Sequence, residues 1–247
     1  MSVSLSPEET ERYARHLVMP EIGGPGQQKL KSAKIAMIGA GGLGAPALQF
    51  LAAAGVGQLT IIDDDLVSLS NLQRQVIHDS GAIGRRKTDS AKTAISRLNP
   101  HVQVNALSKR ISAGNAAELI EGHNLVLDGS DNFTTRYLMA DTCAETHIPL
   151  ITAAVNRFDG TITTLKPWMD NNPRYQDLFP TQPRDDLLPS CSQTGVLGAV
   201  TGVMGTLMAL EAIKEITETG TGLVGKLLMV DTLYLRFETI SYRRKSS

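Results

Sequence analysis

The sequence predicts an α/β fold: a doubly wound, mostly parallel sheet, extended by antiparallel strands in the C-terminal part. Three observations carry this. Short, continuously apolar runs alternate with helix-like stretches between residues 33 and 156, as a parallel sheet covered on both faces requires. The stretch GAGGLGAP, residues 39–46, lies between an apolar run and a helix-like one, and Gly39, Gly41 and Gly44 satisfy G-x-G-x-x-G. After Asn156 the pattern changes to the period-two alternation of DGTITTLKP, the mark of an antiparallel strand.

Taken in order, SPEETERYARHL opens a helix, with Ser6 as N-cap, Pro7 in the first turn and Glu9 completing a capping box. AKIAMIG is a buried strand ending at the glycine turn. LGAPALQFLAAAGV is a helix closed by Gly55 and Gly57, and QLTIID is a second strand ending at Asp63. This βαβ unit with its glycine turn is Rossmann-like. TDSAKTAISRL (helix), VQVNAL (strand), SAGNAAELIEG (helix) and NLVLDGSD (strand) follow, then TTRYLMADTCAETH (helix) and PLITAAV (strand). WMDNNPRYQDLFPTQPRDDLLPSC is long, proline-rich and aperiodic, as functional or disordered loops are. An apolar helix from Gly195 and two strands, KLLMVD and LRFETISY, complete the chain. The expected organisation is one domain over residues 1–247. It comprises a helical arm at 1–30, a nucleotide-binding half at 31–156, and a second half at 157–247 holding a long loop at 167–193.

Bulk properties exclude several classes. Lys and Arg total 24 against 25 Asp and Glu in 247 residues, so no general pull toward nucleic acid or anionic membrane follows. The two cysteines, Cys143 and Cys191, cannot build a disulfide framework, and the N-terminal residues lack a signal-peptide pattern, so a cytoplasmic location is expected. Residues 192–210 carry no charge, but four glycines and three threonines there point to a buried core or dimer-interface helix rather than a membrane span.

The glycine turn alone does not distinguish a retained dinucleotide from a nucleotide that is consumed. Asp63 stands 24 positions after Gly39, where a ribose-binding carboxylate belongs, so a nicotinamide enzyme stays open at this point. SLSNLQRQ then places Asn71, Gln73, Arg74 and Gln75 beyond the second strand, and Lys87 opens the next helix. Asp128, Asp131 and Asn132 close the fourth strand. Ligands bind at the carboxyl ends of strands in such sheets, so these clusters should converge. Hydride transfer has no use for several cations on the phosphates, whereas triphosphate chemistry does. Arg74 and Lys87 would offset the charge that repels an incoming carboxylate, and Asp131 would hold Mg²⁺. A carboxylate nucleophile needs no general base, and the five histidines are scattered. Singly, Arg74 and Lys87 read as solvated charges, Asp63 as a turn residue and Asp131 as a helix N-cap. Their joint placement at strand ends favours a site.

GAGGLGAP, DDDLVSLSNLQRQ, GRRKTDSAK with RLNP, VLDGSDN and PSCSQTGVLG with GVMGTLMALEAIK together resemble the adenylyltransferases related to ubiquitin-activating enzymes (HesA/MoeB/ThiF), over roughly residues 8 to 240. The resemblance implies MgATP-dependent adenylation of the C-terminal glycine of a small ubiquitin-fold sulfur carrier ending in Gly-Gly, in molybdopterin or thiamine biosynthesis. It makes 157–247 the carrier-binding half and suggests a sulfurtransferase or cysteine desulfurase as a further partner. It implies that Gly39, Gly41, Gly42 and Gly44 cradle the nucleotide and that Asp63 and Asp65 serve it. Ser70, Asn71, Leu72, Gln73, Arg74 and Lys87 meet the phosphates, and Asp131 with Asn132 serves metal and nucleotide. Arg15 is implied to reach the partner's site in a homodimer.

Many relatives hold zinc through two C-x-x-C pairs; this chain has neither pair, so no four-thiolate zinc site is expected. Cys191 stands where the family can place a sulfur-transfer cysteine, against the plain reading of an ordinary thiol, and Cys143 is expected to be packed. The rival readings are a nicotinamide oxidoreductase, a non-catalytic carrier-binding scaffold and, within the superfamily, a tRNA-modifying dehydratase.

Overall fold

A computed structural model describes residues 4–182 and 195–245. Its strands are β1 (Lys34–Ile38), β2 (Gln58–Ile62), β3 (Gln103–Leu107), β4 (Leu125–Asp128), β5 (Leu150–Asn156), β6 (Asp159–Leu165), β7 (Lys226–Asp231) and β8 (Arg236–Ser241). They form one sheet in the order β3-β2-β1-β4-β5-β6-β7-β8. The first five strands in that order run parallel, and the remaining pairings are antiparallel. This is the expected α/β class. The order reverses at β1, whose Ile38 is in register with Ile62 of β2 and Asp128 of β4. Three strand ends that carry candidate residues therefore lie side by side at the switch point, where an open α/β sheet leaves a crevice.

The continuous apolar runs follow from two covered faces. Ile35 and Met37 point into a core shared with Leu48 and Leu51 of α4 (Gly44–Ala53) and Met204 and Met208 of α9 (Gly198–Thr217). Ala36 and Ile38 point into a second core with Ile120 of α6 (Ala116–Ile120) and Tyr137, Met139 and Cys143 of α7 (Phe133–Thr146). Helix α5 (Lys87–Leu98) adds Ala91 and Ile95 to the first core. The uncharged segment entering α9 does become a core helix. A Cβ at Gly205 would lie 2.3 Å from the Leu43 carbonyl, so only glycine lets α9 approach α4 this closely. No helix among the described residues is long and apolar enough to cross a membrane.

Three local departures from expectation have tertiary causes. The first helix is split into α1 (Pro7–Arg12) and α2 (Ala14–Leu17) at Tyr13, whose ring is buried and whose hydroxyl accepts from Asn99 Nδ2 at 2.8 Å. A helix not foreseen in GGPGQQKLKS, α3 (Gly23–Ser32), forms despite three glycines of low helix propensity. Burial of Leu30 and of Gln27, which donates to the Ala54 carbonyl at 2.8 Å, supplies what propensity lacks. Among its described residues the long loop also contains a short helix, α8 (Tyr175–Leu178), anchored by buried Tyr175.

Candidate functional site

The glycine loop is shaped by close contacts. Gly39 has φ +87°, a left-handed conformation suited to glycine, and its N–H donates to the Ile62 carbonyl at 2.9 Å. A Cβ on Gly44 would stand 2.0 Å from the Gly39 carbonyl, so the third glycine of the motif serves helix–strand packing beneath the loop. The Asp63 carboxylate accepts from Ala40 N–H and from Asp65 N–H, both at 2.8 Å, and thereby clips the loop to the end of β2. The loop leads into the N-terminus of α4, the positive end of its helix dipole, which favours anions.

A short 3₁₀ turn, Leu69–Asn71, carries the next cluster. Asn71 accepts from Ser68 N–H at 3.1 Å and so caps this turn. Arg74 donates from Nη1 to the Ser70 carbonyl at 3.0 Å, which steadies its guanidinium. A Cβ on Gly198 would lie 2.2 Å from the Gln73 carbonyl, so the start of α9 wedges this segment in place. Lys87 is buried at the start of α5, with Nζ 2.6 Å from the exposed Asp65 carboxylate. A buried ammonium held by one exposed carboxylate can turn to an incoming anion at little cost in desolvation.

At the end of β4, Asp128 is fully buried. It accepts from Ser130 N–H and Thr152 Oγ1, both at 3.0 Å, and so builds the turn that follows. The N-cap of α7 is Asn132, which accepts from Thr135 N–H at 2.8 Å. The capping role is thus filled by Asn132, and Asp131 stands exposed with its carboxylate on the cleft.

The cleft has a volume of about 130 Å³ and brings together Gly39, Gly41, Gly42, Asp63, Asp65, Arg74, Lys87 and Asp131. Ser70, Asn71, Leu72, Gln73 and Asn132 do not line it; they form the turns that support lining residues. Arg15 is exposed on α2 and is absent from the cleft wall of its own chain. Cys191 lies outside the described residues. Cys143 is packed as expected, and burial, reinforced by the charge of Asp128, pushes its thiol well above the usual range.

Several site residues escaped the sequence reading, Ser130 in the turn after β4 among them. Gln75 and Arg136 line the cleft; the first stood inside the motif without an assigned role, and the second lay in an otherwise ordinary helix. His78 lies buried under the loop, with Nε2 3.0 Å from the Ala40 carbonyl and Nδ1 2.9 Å from Ser90 Oγ. Burial lowers its pKa, so it stays neutral, donating from Nε2 and accepting at Nδ1. No sequence pattern marks it, because its partners come from residues 40 and 90. A second, wider cleft is lined by Arg157, Asp159, Leu197, Asp231 and Tyr234, and it meets the first at Val196.

Arg74 and Lys87, set among the carboxylates of Asp63, Asp65 and Asp131, suit a highly charged ligand with a metal ion. The oxygen donor of Asp131 is of the hard type that Mg²⁺ prefers. The ThiF family model matches residues 13–247. The chain is 44% identical over 243 residues to the SAMP-activating enzyme E1 of Haloferax volcanii, covering 98% of this chain and 89% of that protein. It is 43% identical over 248 residues to the probable adenylyltransferase/sulfurtransferase MoeZ of Mycobacterium tuberculosis, covering 99% of this chain but 63% of that longer one. The sulfur carrier protein adenylyltransferase of Thermus thermophilus is 40% identical over 240 residues, with 96% and 89% covered. In three dimensions, MccB of E. coli superposes with TM-score 0.84 at 20% identity, over 98% of this chain and 72% of that one, a likeness of fold alone.

Proposed function

We propose that this chain, which belongs to the ThiF family, adenylates the C-terminal glycine of a small ubiquitin-fold sulfur carrier with MgATP. The observation that carries the reading is the convergence of Arg74, Lys87 and Asp131 on one glycine-loop cleft beside Asp63. The names of the relatives from Haloferax and Thermus support the same substrate class.

In this reading the glycine loop and the α4 N-terminus receive the phosphates, and Asp63 receives the ribose. An ionised carrier carboxylate attacks the α-phosphorus. A new O–P bond forms, the bond to the bridging β-phosphate oxygen breaks, and pyrophosphate leaves. Lys87 exchanges Asp65 for phosphate, and Arg74 meets the charge that develops on the leaving group. Asp131 would hold Mg²⁺, which supplies charge neutralisation at the phosphate oxygens. The carrier tail enters through the wider cleft, which opens into the first at Val196. Residues 157–247 receive the carrier body, and Arg15 of a second copy completes the phosphate site in a homodimer. Cys191 acts after adenylation, in sulfur transfer. The carrier is of the molybdopterin or thiamine type, and residues 67–75 favour the first.

The test is ATP–pyrophosphate exchange. It should require Mg²⁺ and a carrier with an intact Gly-Gly end. Exchange that proceeds without carrier, or redox turnover of a bound nicotinamide, would overturn the proposal.

A further inference from the structure

Buried polar atoms without partners are rare, and each needs an explanation. Among the described residues four side-chain atoms are of this kind: Gln75 Oε1, Ser130 Oγ, Arg136 Nε and His101 Nε2. The last has Glu8 Oε1 at 3.2 Å. The first three all belong to residues that line the glycine-loop cleft. Gln75 is 3% exposed and Arg136 is 9% exposed, so neither is a surface group awaiting bulk water.

We propose that Gln75, Ser130 and Arg136 form the receptor for the acyl end of the substrate: the last peptide N–H and the terminal carboxylate of an extended tail. This rests on the carrier-adenylation reading and assigns three residues to the half of the reaction that the nucleotide groups leave unserved.

Donor and acceptor counting leads there. Triphosphate oxygens only accept hydrogen bonds at neutral pH, so they satisfy none of the need at Gln75 Oε1, which is an acceptor. The nucleotide's own donors are the ribose hydroxyls, already matched to Asp63, and the base amino group. Gln75 instead packs against the glycine turn: a Cβ on Gly41 would lie 3.6 Å from its Nε2. An incoming peptide brings an N–H beside its carboxylate. The carboxylate needs donors, and Ser130 Oγ–H and Arg136 Nε–H are the two unpaired ones.

The geometry around Arg136 holds it for this role. Its Nη2 donates to the Ser130 carbonyl at 2.8 Å, and its guanidinium carbon lies 5.6 Å from the Phe133 ring centroid. Nη2 is thus engaged in tying α7 to the turn after β4 and the buried Tyr175 side chain lies beside the guanidinium, while the buried Nε has no partner. Asp128 fixes that same turn through Ser130 N–H, so the hydroxyl and guanidinium of this pair are positioned by one buried carboxylate.

The experiment compares a ubiquitin-fold sulfur carrier ending in Gly-Gly carboxylate with the same carrier ending in a carboxamide. Binding to the full chain is measured in the presence of a non-hydrolysable ATP analogue, and ATP affinity is measured separately without carrier. Hydrogen bonds to a charged group are worth about 1.5–3 kcal/mol, so wild type should prefer the acid roughly 10-fold or more. Ser130→Ala and Arg136→Lys should reduce this preference to within about 3-fold and leave ATP affinity within about 2-fold. Gln75→Met should weaken both carriers alike, by about 5-fold. If Arg136→Lys lowers the melting temperature, Ser130→Ala decides alone.

Undiminished acid preference in the variants would overturn the subsite while leaving carrier adenylation standing. A parallel loss of ATP affinity would reassign the three residues to the nucleotide. A wild type that binds ATP and neither carrier would end the functional reading itself, and this inference with it.

Discussion

The two halves of the sheet bury their strands differently. In the parallel half, residues 35–38, 59–62 and 125–128 are all buried, and the cleft-lining residues Gly39, Asp63 and Gly129 follow directly at their ends. In the antiparallel extension all six residues of β8 are exposed, and Phe237 and Ile240 among them, with Leu233, Tyr234 and Leu235 at the turn before, have no core to enter. A strand buried on both faces fixes the position of whatever follows it to within the tolerance of close packing. An exposed apolar edge strand fixes little and offers backbone and side chains to a partner. The first half therefore suits chemistry, which needs preorganised groups, and the second suits docking.

That contrast can be broken most severely at the core. Leu48→Ala removes a side chain with no exposure and should cost about 2–5 kcal/mol in denaturant unfolding, whereas Phe237→Ala, at 54% exposure, should stay within about 0.5 kcal/mol. Equal losses at both positions would mean that β8 is packed in the folded protein in solution. The next effect is catalytic. Arg74→Ala should lower pyrophosphate exchange about 100-fold or more with an unchanged melting temperature, the scale for removing one preorganised charge stabiliser. Full activity would remove Arg74 from the mechanism.

A smaller effect separates docking from chemistry. Phe237→Asp should raise the KM for the carrier about 10-fold while ATP affinity holds, as loss of a single apolar interface contact does. A matching loss of ATP affinity would show that the two halves are not functionally separate. The smallest effect is on pH. His78 and His123 both have pKa values lowered by burial from 6.5. Below that value the unfolded chain takes up protons that the folded chain refuses, so stability falls as pH drops from about 6.5 toward the folded values. Melting temperature should decline gradually between about pH 7 and pH 5, and His78→Gln should flatten the slope. A level profile in the wild type would contradict the burial of both rings.

How much of the site was legible depended on whether a residue's role is local. The glycine motif and Asp63 could be found because each directly follows a strand whose apolar run announces its end, and Arg74, Lys87 and Asp131 because they stand between such a strand and the helix after it or open that helix. The helix at residues 23–32 could not, since its glycines argue against it and tertiary contacts such as those of Gln27 and Leu30 hold it. Asp131 as a helix cap was a fair alternative that only geometry removed, by giving the task to its neighbour Asn132.

The sequence by itself determined the alternating parallel architecture, the glycine turn and the charge types at the strand ends, because period, propensity and turn chemistry act between residues a few positions apart. Tertiary structure alone decided that His78 supports the loop from below and that Asp65 holds Lys87. It also decided that Gln75, Ser130 and Arg136 turn unpaired atoms on one cleft. Ala40 and His78 are 38 positions apart, Asp65 and Lys87 22, and Gln75 and Arg136 61. Those relations exist only where the sheet's register sets strand ends side by side and burial withholds water from the groups between them.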